Sequence, residues 1–424
     1  MVQRTRQQKQ VPADPLRNIR DRLCCGGTSS SIPQDDDDTT VPVAAAAHLL
    51  NKDPMDELVD FLKELPKTYR LNVLDLGGCR GLKKRHLKSI CKVTSLRYLS
   101  LRNTDVSGLP YREMQELRLL ETLDIRDTGS SPLPNTKHIF LRKLRHLLAG
   151  TTTTTNGGTE TPSDQASVPL SAVRMPRRIG DMTSMETLSH VQVSSDGAEL
   201  DQVAKLQRLR KLGVVLLHGN NENTARKLGQ VITRLAGSLR SLSIWVGTDD
   251  GSVDIPKQVP DTLLILENLE IKGKVTHHFW GELKNLANVT LRDTQLQEDL
   301  LNLGGLQGLR CLRLRRNSCA HQQALRFEAG KFEALKILAV EGGTIISVEF
   351  ADGAAPQLEK IVWTFDKDDK VPIIDGIGNL GSLKLVKIRG DLGPHKGSEL
   401  KRAIAAQKKH QVRLFDGERD VTDD

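Results

Sequence analysis

Apolar residues recur along the chain in the pattern L-x-x-L-x-L, in units that begin about 20 to 30 residues apart. Thirteen stretches fit this pattern, and the interval from Leu144 to Met185 is longer than the others. The middle apolar residues of the units are Leu74, Leu99, Leu123, Leu147, Leu188, Leu212, Leu242, Leu269, Val289, Leu312, Leu338, Ile361 and Val386. In L-x-L the two apolar side chains share one face of a short strand. The pattern therefore predicts one strand per unit.

A single unit leaves its apolar face bare, so the units are stable only when they stack as an array. We therefore expect an α/β repeat fold over residues 71–397: a leucine-rich-repeat solenoid, a curved horseshoe with a concave parallel sheet and helical caps. An Asn, Cys or Thr often follows the strand, as at Cys79, Thr104 and Asn317. Such a side chain is expected to hydrogen-bond backbone groups of the turn.

The segments around the repeats have their own patterns. Asp53-Pro54 favours a helix start, and Leu58, Phe61, Leu62 and Leu65 recur at helical spacing, which predicts an N-terminal capping helix within residues 53–70. Residues 398–424 are expected to form a C-terminal capping helix and tail. Polar composition predicts a disordered segment over 1–52 and a mobile insertion at 151–180. The residues around Met185 can be aligned to the repeat pattern in two ways.

Charge and cysteine content narrow the class of protein. Lys and Arg number 61 and Asp and Glu 53, which gives a net charge of +8 with both signs interspersed. We interpret this as a solvated mixed surface and expect no nucleic-acid partner. No run of 18 apolar residues is present, so no membrane span is expected. Six mostly separated cysteines favour a reducing, cytoplasmic location, although the adjacent Cys24 and Cys25 leave a lipid tether open.

Motifs for catalysis or cofactor binding do not stand out. The chain has no G-x-x-x-x-G-K-[ST] loop, and His277-His278 has no Cys or carboxylate partners at metal-ligand spacing. No Ser/His/Asp, paired-carboxylate or Cys/His arrangement rises above background. We therefore expect a non-enzymatic protein with no catalytic residues, no cofactor and no metal.

One stretch is more specific than a generic repeat. The segment from Leu71 to Pro110, continued by Leu120 to Thr128 and Leu141 to Gly150, resembles the leucine-rich repeats of plant intracellular nucleotide-binding leucine-rich-repeat (NLR) disease-resistance proteins. The closing segment Leu400 to His410 is also similar to that family. NLR receptors carry coiled-coil and nucleotide-binding domains before the repeats, where this chain has about 50 residues. The resemblance implies a role in recognising a partner, and the ATP/ADP switch is not carried over.

Polar and basic residues occupy the strand positions expected on the concave face. Arginine and lysine on a rigid sheet bind acidic partners through charge-assisted hydrogen bonds, although any soluble repeat protein needs polar residues there. Trp245 is the preferred single anchor if it is exposed, and the alternative is that it packs under a neighbouring loop. The candidate partner-binding residues are Arg102, Asp124, Arg126, Trp245, Lys272, Arg292, Arg313, Arg315 and Arg389.

These observations predict a protein-recognition module of plant innate immunity. Its partner would be a pathogen effector, a host protein or a nucleotide-binding switch domain. A substrate adaptor of a ubiquitin ligase is an alternative, but residues 1–53 look short and polar for a docking bundle. A truncated receptor fragment with no independent role is a third possibility.

Overall fold

The computed structural model describes most of the chain from residue 53 onward. The described residues are 53–66, 68–106, 108–128, 136–150, 172–217, 222–247, 265–274, 283–296, 298–365, 373–390, 412–416 and 419–420. The chain divides into two compact units, residues 1–134 and 135–424, and each is described by itself.

The first unit alternates short helices and strands. Helix α1 (Pro54–Glu64) precedes strand β1 (Val73–Asp75), which is followed by α2 (Lys84–Ile90), β2 (Tyr98–Ser100), α3 (Tyr111–Met114) and β3 (Thr122–Asp124). The three strands are parallel, with Leu74 beside Leu99 and Leu99 beside Leu123. These leucines are buried, whereas Val73 at the edge of the sheet is 58% exposed.

Helix α1 begins as the sequence predicts. Asp53 caps it, since its Oδ1 accepts a hydrogen bond from the Met55 N–H at 3.0 Å. The buried face centres on Met55, Leu58, Val59 and Leu62, while Phe61 and Leu65 are only half-buried.

A polar cluster joins helices α1 and α2. Asp56 accepts two hydrogen bonds from Arg85 and lies 3.0 Å from Nε2 of the buried His86. Asp53 pairs with Lys83 at 3.3 Å. Asp53, Asp56 and His86 have ligand atoms within 4.8 Å of one another. Lys83 and Arg85 already neutralise both carboxylates, so the cluster holds helices α1 and α2 together.

The second unit is built around a long, mainly parallel sheet. Its neighbouring strands are β4 (His146–Leu148), β6 (Thr187–Val193), β7 (Lys211–Leu216), β8 (Ser241–Val246), β9 (Asn268–Lys272), β10 (Asn288–Arg292), β11 (Cys311–Arg315), β13 (Ile337–Glu341), β15 (Lys360–Thr364), β17 (Leu385–Arg389) and β18 (Arg413–Asp416). The strand β5 (Val173–Arg174) pairs with the far end of β6, and β19 (Arg419–Asp420) is antiparallel to β18. Helices α4 (Ala198–Val203) and α5 (Glu222–Arg234) lie between strands β6, β7 and β8 in the sequence.

Each of the thirteen predicted repeats contains a strand, and the middle apolar residue of every repeat is buried. Burial of one such side chain contributes about 1.5–3 kcal/mol, so the repeated leucines supply much of the driving force for stacking. Residues between them alternate toward the other face, as the half-buried, buried, half-buried pattern of β9, β10 and β15 shows. The prediction of a leucine-rich-repeat fold is confirmed.

The turns after the strands repeat a two-residue device. A left-handed residue, such as Asn103 (φ 52°) or Asp127 (φ 56°), is followed by a buried hydroxyl. Thr104 donates to the Leu101 carbonyl at 2.6 Å, and Thr128 donates to the Ile125 carbonyl at 3.1 Å. The expected turn role is confirmed for these threonines. It is wrong for Asn317, which is exposed and left-handed, because Ser318 takes the buried position.

A second, three-stranded parallel sheet was not predicted. It consists of β12 (Gln323–Phe327), β14 (Ile345–Phe350) and β16 (Ile373–Asp375), in that order. Phe327 lies 4.6 Å from Phe332 and 4.7 Å from Phe350 between ring centroids, and all three rings are buried. In these repeats the return segment between main-sheet strands is therefore itself a strand.

Some predicted boundaries need correction. The predicted insertion at 151–180 is wrong from residue 172 onward, because Val173–Arg174 is a strand and Met175 and Ile179 are buried. Residues 412–416, predicted as part of the tail after the C-terminal capping helix, instead form β18, which pairs with β17 and places Leu414 beside Val386. The predicted segment 1–52 with Cys24 and Cys25, residues 151–171 and the helix at 398–409 lie outside the described residues.

The buried cysteine thiols should be unreactive toward alkylating reagents in the folded protein. Cys79, Cys91, Cys311 and Cys319 are buried thiols. Burial, and then the charge of Glu113, raises the pKa of the Cys91 thiol to about 12, and burial also raises the pKa of Cys311. The thiolate is the reactive form, so we expect iodoacetamide at pH 8 to leave these four cysteines unmodified until urea is added. Peptide mapping by mass spectrometry checks this, and rapid native labelling of Cys91 would contradict it.

Candidate functional site

The sheet of the second unit brings four predicted site residues together. Lys272, Arg292 and Arg315 lie in register on neighbouring strands β9, β10 and β11. Arg313 lies two residues before Arg315, on the same strand face and beside Thr290. We call Lys272, Arg292, Arg313 and Arg315 the basic patch. Neighbouring parallel strands are about 4.8 Å apart, so these cations form one continuous surface.

The basic patch is only partly neutralised within the described part of the chain. Arg292 Nε is 3.5 Å from Asp293 Oδ2, yet it is buried and makes no hydrogen bond to the described residues. Burial, and then the positive charge of Arg292, lowers the pKa of Lys272, while Asp293 and Glu270 act in the opposite direction. A cation whose protonation is disfavoured by a neighbouring cation gains from an incoming anion.

The predicted site residues in the compact unit 1–134 already form ion pairs with one another or with a neighbouring aspartate. Asp124 is buried and accepts two hydrogen bonds from the Arg126 side chain, at 2.9 Å from Nε and 2.6 Å from Nη2. This hydrogen bonding raises the pKa of Arg126. Arg102 donates to Asp127 at 3.2 Å and is more exposed. The prediction that Asp124 is an accessible contact residue is wrong, because the Arg126 guanidinium covers it.

Trp245 is buried, so the prediction of an exposed anchor is wrong. Its side chain is 3% exposed and packs with Ala172, Val215 and Leu217. Lys272 Nζ lies 5.2 Å from the centroid of the indole ring, within the range of a cation–π contact. The structure supports the alternative in which Trp245 packs under another segment. The covering segment includes Ala172, which directly precedes β5 and does not belong to an adjacent repeat loop.

A bulge in β6 helps to bury Trp245. Leu188 pairs with Leu212, but Val191 pairs with Val214, so Ser189 and His190 together oppose Gly213. His190 is left-handed (φ 53°), and its ring centroid lies 4.0 Å from that of Trp245. A Cβ on Gly213 would lie 2.8 Å from the His190 backbone nitrogen. Both alignments of the Met185 repeat to the pattern therefore occur in the structure, one before the bulge and one after it.

Arg389 stands apart from the basic patch. It is exposed on β17 and pairs in register with Thr364 of β15. Thr364 is in turn beside Glu341 of β13. The basic residues predicted on the strands are therefore interrupted on this side by an acidic and a neutral residue.

A charged ladder at the strand starts was not predicted from the sequence. The residue after the first apolar position of most units accepts backbone hydrogen bonds from the next unit, as when the Arg210 carbonyl accepts from Arg240 and Ser241. Opposite charges meet at several of these positions: Arg97–Glu121, Arg145–Glu186, Arg240–Glu267 and Lys384–Glu359. We call this series the strand-start ladder. The sequence signal that could have revealed this ladder is the charged residue at the second position of L-x-x-L.

The thirteen repeats, each with its strand, point to one family. A family model described as a leucine-rich repeat region matches residues 55–414. The chain belongs to this leucine-rich-repeat family. Repeat regions of this kind are typically protein-interaction modules, and the match includes all thirteen repeats, the bulge and the basic patch.

Relatives of this leucine-rich-repeat chain include rice disease-resistance proteins. The chain is 28% identical over 254 residues to disease resistance protein Pik-2 of Oryza sativa subsp. japonica, covering 55% of this chain and 24% of Pik-2. It is 28% identical over 361 residues to disease resistance protein PIK6-NP of the same organism, covering 74% of this chain and 34% of that protein. The repeats are thus of the NLR type, and the chain spans about a quarter to a third of these relatives' length.

Among solved structures, an internalin from Listeria monocytogenes shows 14% identity and a TM-score of 0.47, covering 79% of this chain and 87% of that chain. No helix among the described residues is long and apolar enough to cross a membrane.

Proposed function

We propose that this protein is a non-enzymatic, intracellular recognition module of plant immunity that binds an acidic surface of a protein partner through the basic patch. The observation that carries the proposal is the in-register alignment of Lys272, Arg292 and Arg315, with Arg313 beside them. The relation to rice disease-resistance proteins supports the immune role. The partner class is a pathogen effector, a host protein or a nucleotide-binding switch domain.

The geometry suits recognition by charge-assisted hydrogen bonds. The backbone of the basic patch is held by a hydrogen-bonded sheet, so little backbone ordering entropy is lost when a partner binds. Arginine offers planar, paired donors that match carboxylates, and each hydrogen bond to a charged group contributes about 1.5–3 kcal/mol. The paired Arg102 and Arg126 of the first unit would have to break Asp127 and Asp124 contacts to do the same.

The test is charge reversal at the two half-buried arginines of β11. Full-length chains with R313E/R315E, and a matched control R226E/R326E, are expressed as bait in pathogen-challenged plant tissue. We expect the double reversal to reduce recovery of a specific partner about tenfold or more, since two favourable contacts become repulsive. Arg226 on α5 and Arg326 on β12 lie outside the basic patch, so the control should retain the partner.

Quantitative mass spectrometry of the captured proteins gives the readout. Binding of each enriched partner is then repeated with purified proteins, and circular dichroism confirms that both variants are folded. An unchanged partner set for R313E/R315E would rule out the basic patch as the binding surface.

A further inference from the structure

A groove opens at the strand starts of β7 and β8, away from the basic patch. It has a volume of about 450 Å³ and is lined by Glu186, Gln207, Arg208, Arg210, Ser238 and Arg240, among others. This volume falls in the range of small-ligand sites, about 300–1,000 Å³. Three arginines and one carboxylate, Glu186, thus line one concave space.

The groove coincides with a break in the strand-start ladder. Arg210 and Arg240 are adjacent, because the Arg210 carbonyl accepts the Arg240 N–H at 2.8 Å. Arg240 pairs with Glu267, and Arg145 donates two hydrogen bonds to Glu186, of 3.0 and 2.8 Å. Arg208 and Arg210 form no ion pair within 4.0 Å of a carboxylate among the described residues. Hydrogen bonding from Arg145 and, more weakly, the charge of Arg210 lower the pKa of Glu186. Two like charges on neighbouring strands are unfavourable unless an anion lies between them.

A second like-charged step, Arg310 beside Lys336, has a similar flanking acid, since Lys336 lies 3.7 Å from Glu359 and Arg240 pairs with Glu267. It differs in that Gly308 stands where the first step has Arg208. The step between β7 and β8 thus combines adjacent arginines, a third arginine and a cavity.

We propose that the strand-start groove binds a phosphate monoester. A phosphate monoester carries about −1.5 to −2 charges and three acceptor oxygens at neutral pH, which matches three arginines in one groove better than a single carboxylate does. Ser238 also lines the groove, with its hydroxyl donating to the Leu235 carbonyl at 3.3 Å. Phosphorylated side chains of a protein and small phosphorylated molecules present the same chemistry.

The test uses the full chain and a fluorescein-labelled peptide, Ala-Gly-pSer-Gly-Ala, followed by fluorescence anisotropy. The unphosphorylated peptide is the ligand control, and inorganic phosphate is titrated as competitor. R208Q/R210Q removes the two charges that lack an ion pair among the described residues, while R226Q/R326Q removes two charges from other surfaces. We expect R208Q/R210Q to weaken phosphopeptide binding at least about tenfold, with the control variant within about twofold of wild type.

The outcomes separate the sources of the ligand. Phosphopeptide binding much tighter than that of inorganic phosphate would support a phosphorylated polypeptide, and equal affinities would support a small phosphorylated molecule. The proposal is overturned if the two peptides bind equally, or if R208Q/R210Q behaves like R226Q/R326Q. It is also overturned if neither phosphate probe shows saturable binding up to about 10 mM. R313E/R315E should leave this binding unchanged, so failure here is distinguishable from failure of the basic patch.

Discussion

Replacing Trp245 by alanine is expected to lower the free energy of unfolding by about 3–5 kcal/mol. The indole is 3% exposed and fills the space between Val215, Ala172 and the ring of His190. Alanine would leave a cavity there and remove the ring that Lys272 approaches. Urea denaturation followed by far-UV circular dichroism measures the change without relying on tryptophan fluorescence.

The matched control is Trp245→Phe. Trp245 Nε1 is buried and donates no hydrogen bond to the described residues, and an unmade hydrogen bond of this kind costs about 1–3 kcal/mol. Phenylalanine keeps most of the apolar contact and omits the unpaired N–H, so we expect a loss below about 1.5 kcal/mol. If Trp245→Ala unfolds at the wild-type urea concentration, the residue is not part of the core. Partner binding lost by an unfolded Trp245→Ala chain would not identify Trp245 as a contact.

The repeat architecture could be predicted because its signal is local. At each unit the L-x-L pair fixes which strand face is buried, and the same spacing returns in the next unit, as from Val289 to Leu312. The N-terminal helix was predictable for the same reason, since the Asp53 cap and Pro54 are neighbours in sequence. Stacking then places equivalent positions side by side, which is why Lys272, Arg292 and Arg315 meet.

Features that depend on distant residues could not be predicted in this way. The exposure of Trp245 depends on Ala172, a residue more than 70 positions earlier that follows a polar tract. The burial of Asp124 involves a near neighbour instead, but it depends on the conformation in which the Arg126 side chain folds back, which residue spacing does not determine. The bulge at Ser189 and His190 makes the repeat pattern look ambiguous, although two glycines, Gly150 and Gly213, provide the room it needs.

The strand-start groove and the small sheet have weaker sequence signals. Arg210 and Arg240 are 30 positions apart, so their proximity becomes visible only when the units are stacked. Apolar alternation in Leu325-Arg326-Phe327 and in Val348-Glu349-Phe350 is typical of strands, but two or three residues are too few to separate a strand from a turn.

The small sheet leads to the second large expected effect, at Phe350. Its ring is 1% exposed and stacks on Phe327 at 4.7 Å, and Phe327 in turn contacts Phe332. Phe350→Ala should therefore lower the free energy of unfolding by about 3–5 kcal/mol, because it combines a cavity with loss of an aromatic pair. Ile373→Ala is the control on the neighbouring strand β16, where the side chain is 51% exposed, and its effect should stay within about 0.5 kcal/mol.

Hydrogen exchange locates the Phe350 effect within the chain. The amides of β12 and β14 should lose protection in Phe350→Ala, since Leu325 pairs with Val348 and Phe327 with Phe350 across these strands. Strands β6 to β8 lie several repeats away and should open less, because a repeat contacts mainly its neighbours. A double-mutant cycle with Phe327→Ala then gives the ring-to-ring coupling, expected at about 0.5–1.5 kcal/mol. Additive losses from the two substitutions would mean that the rings fill space independently and that the small sheet is held by its backbone hydrogen bonds.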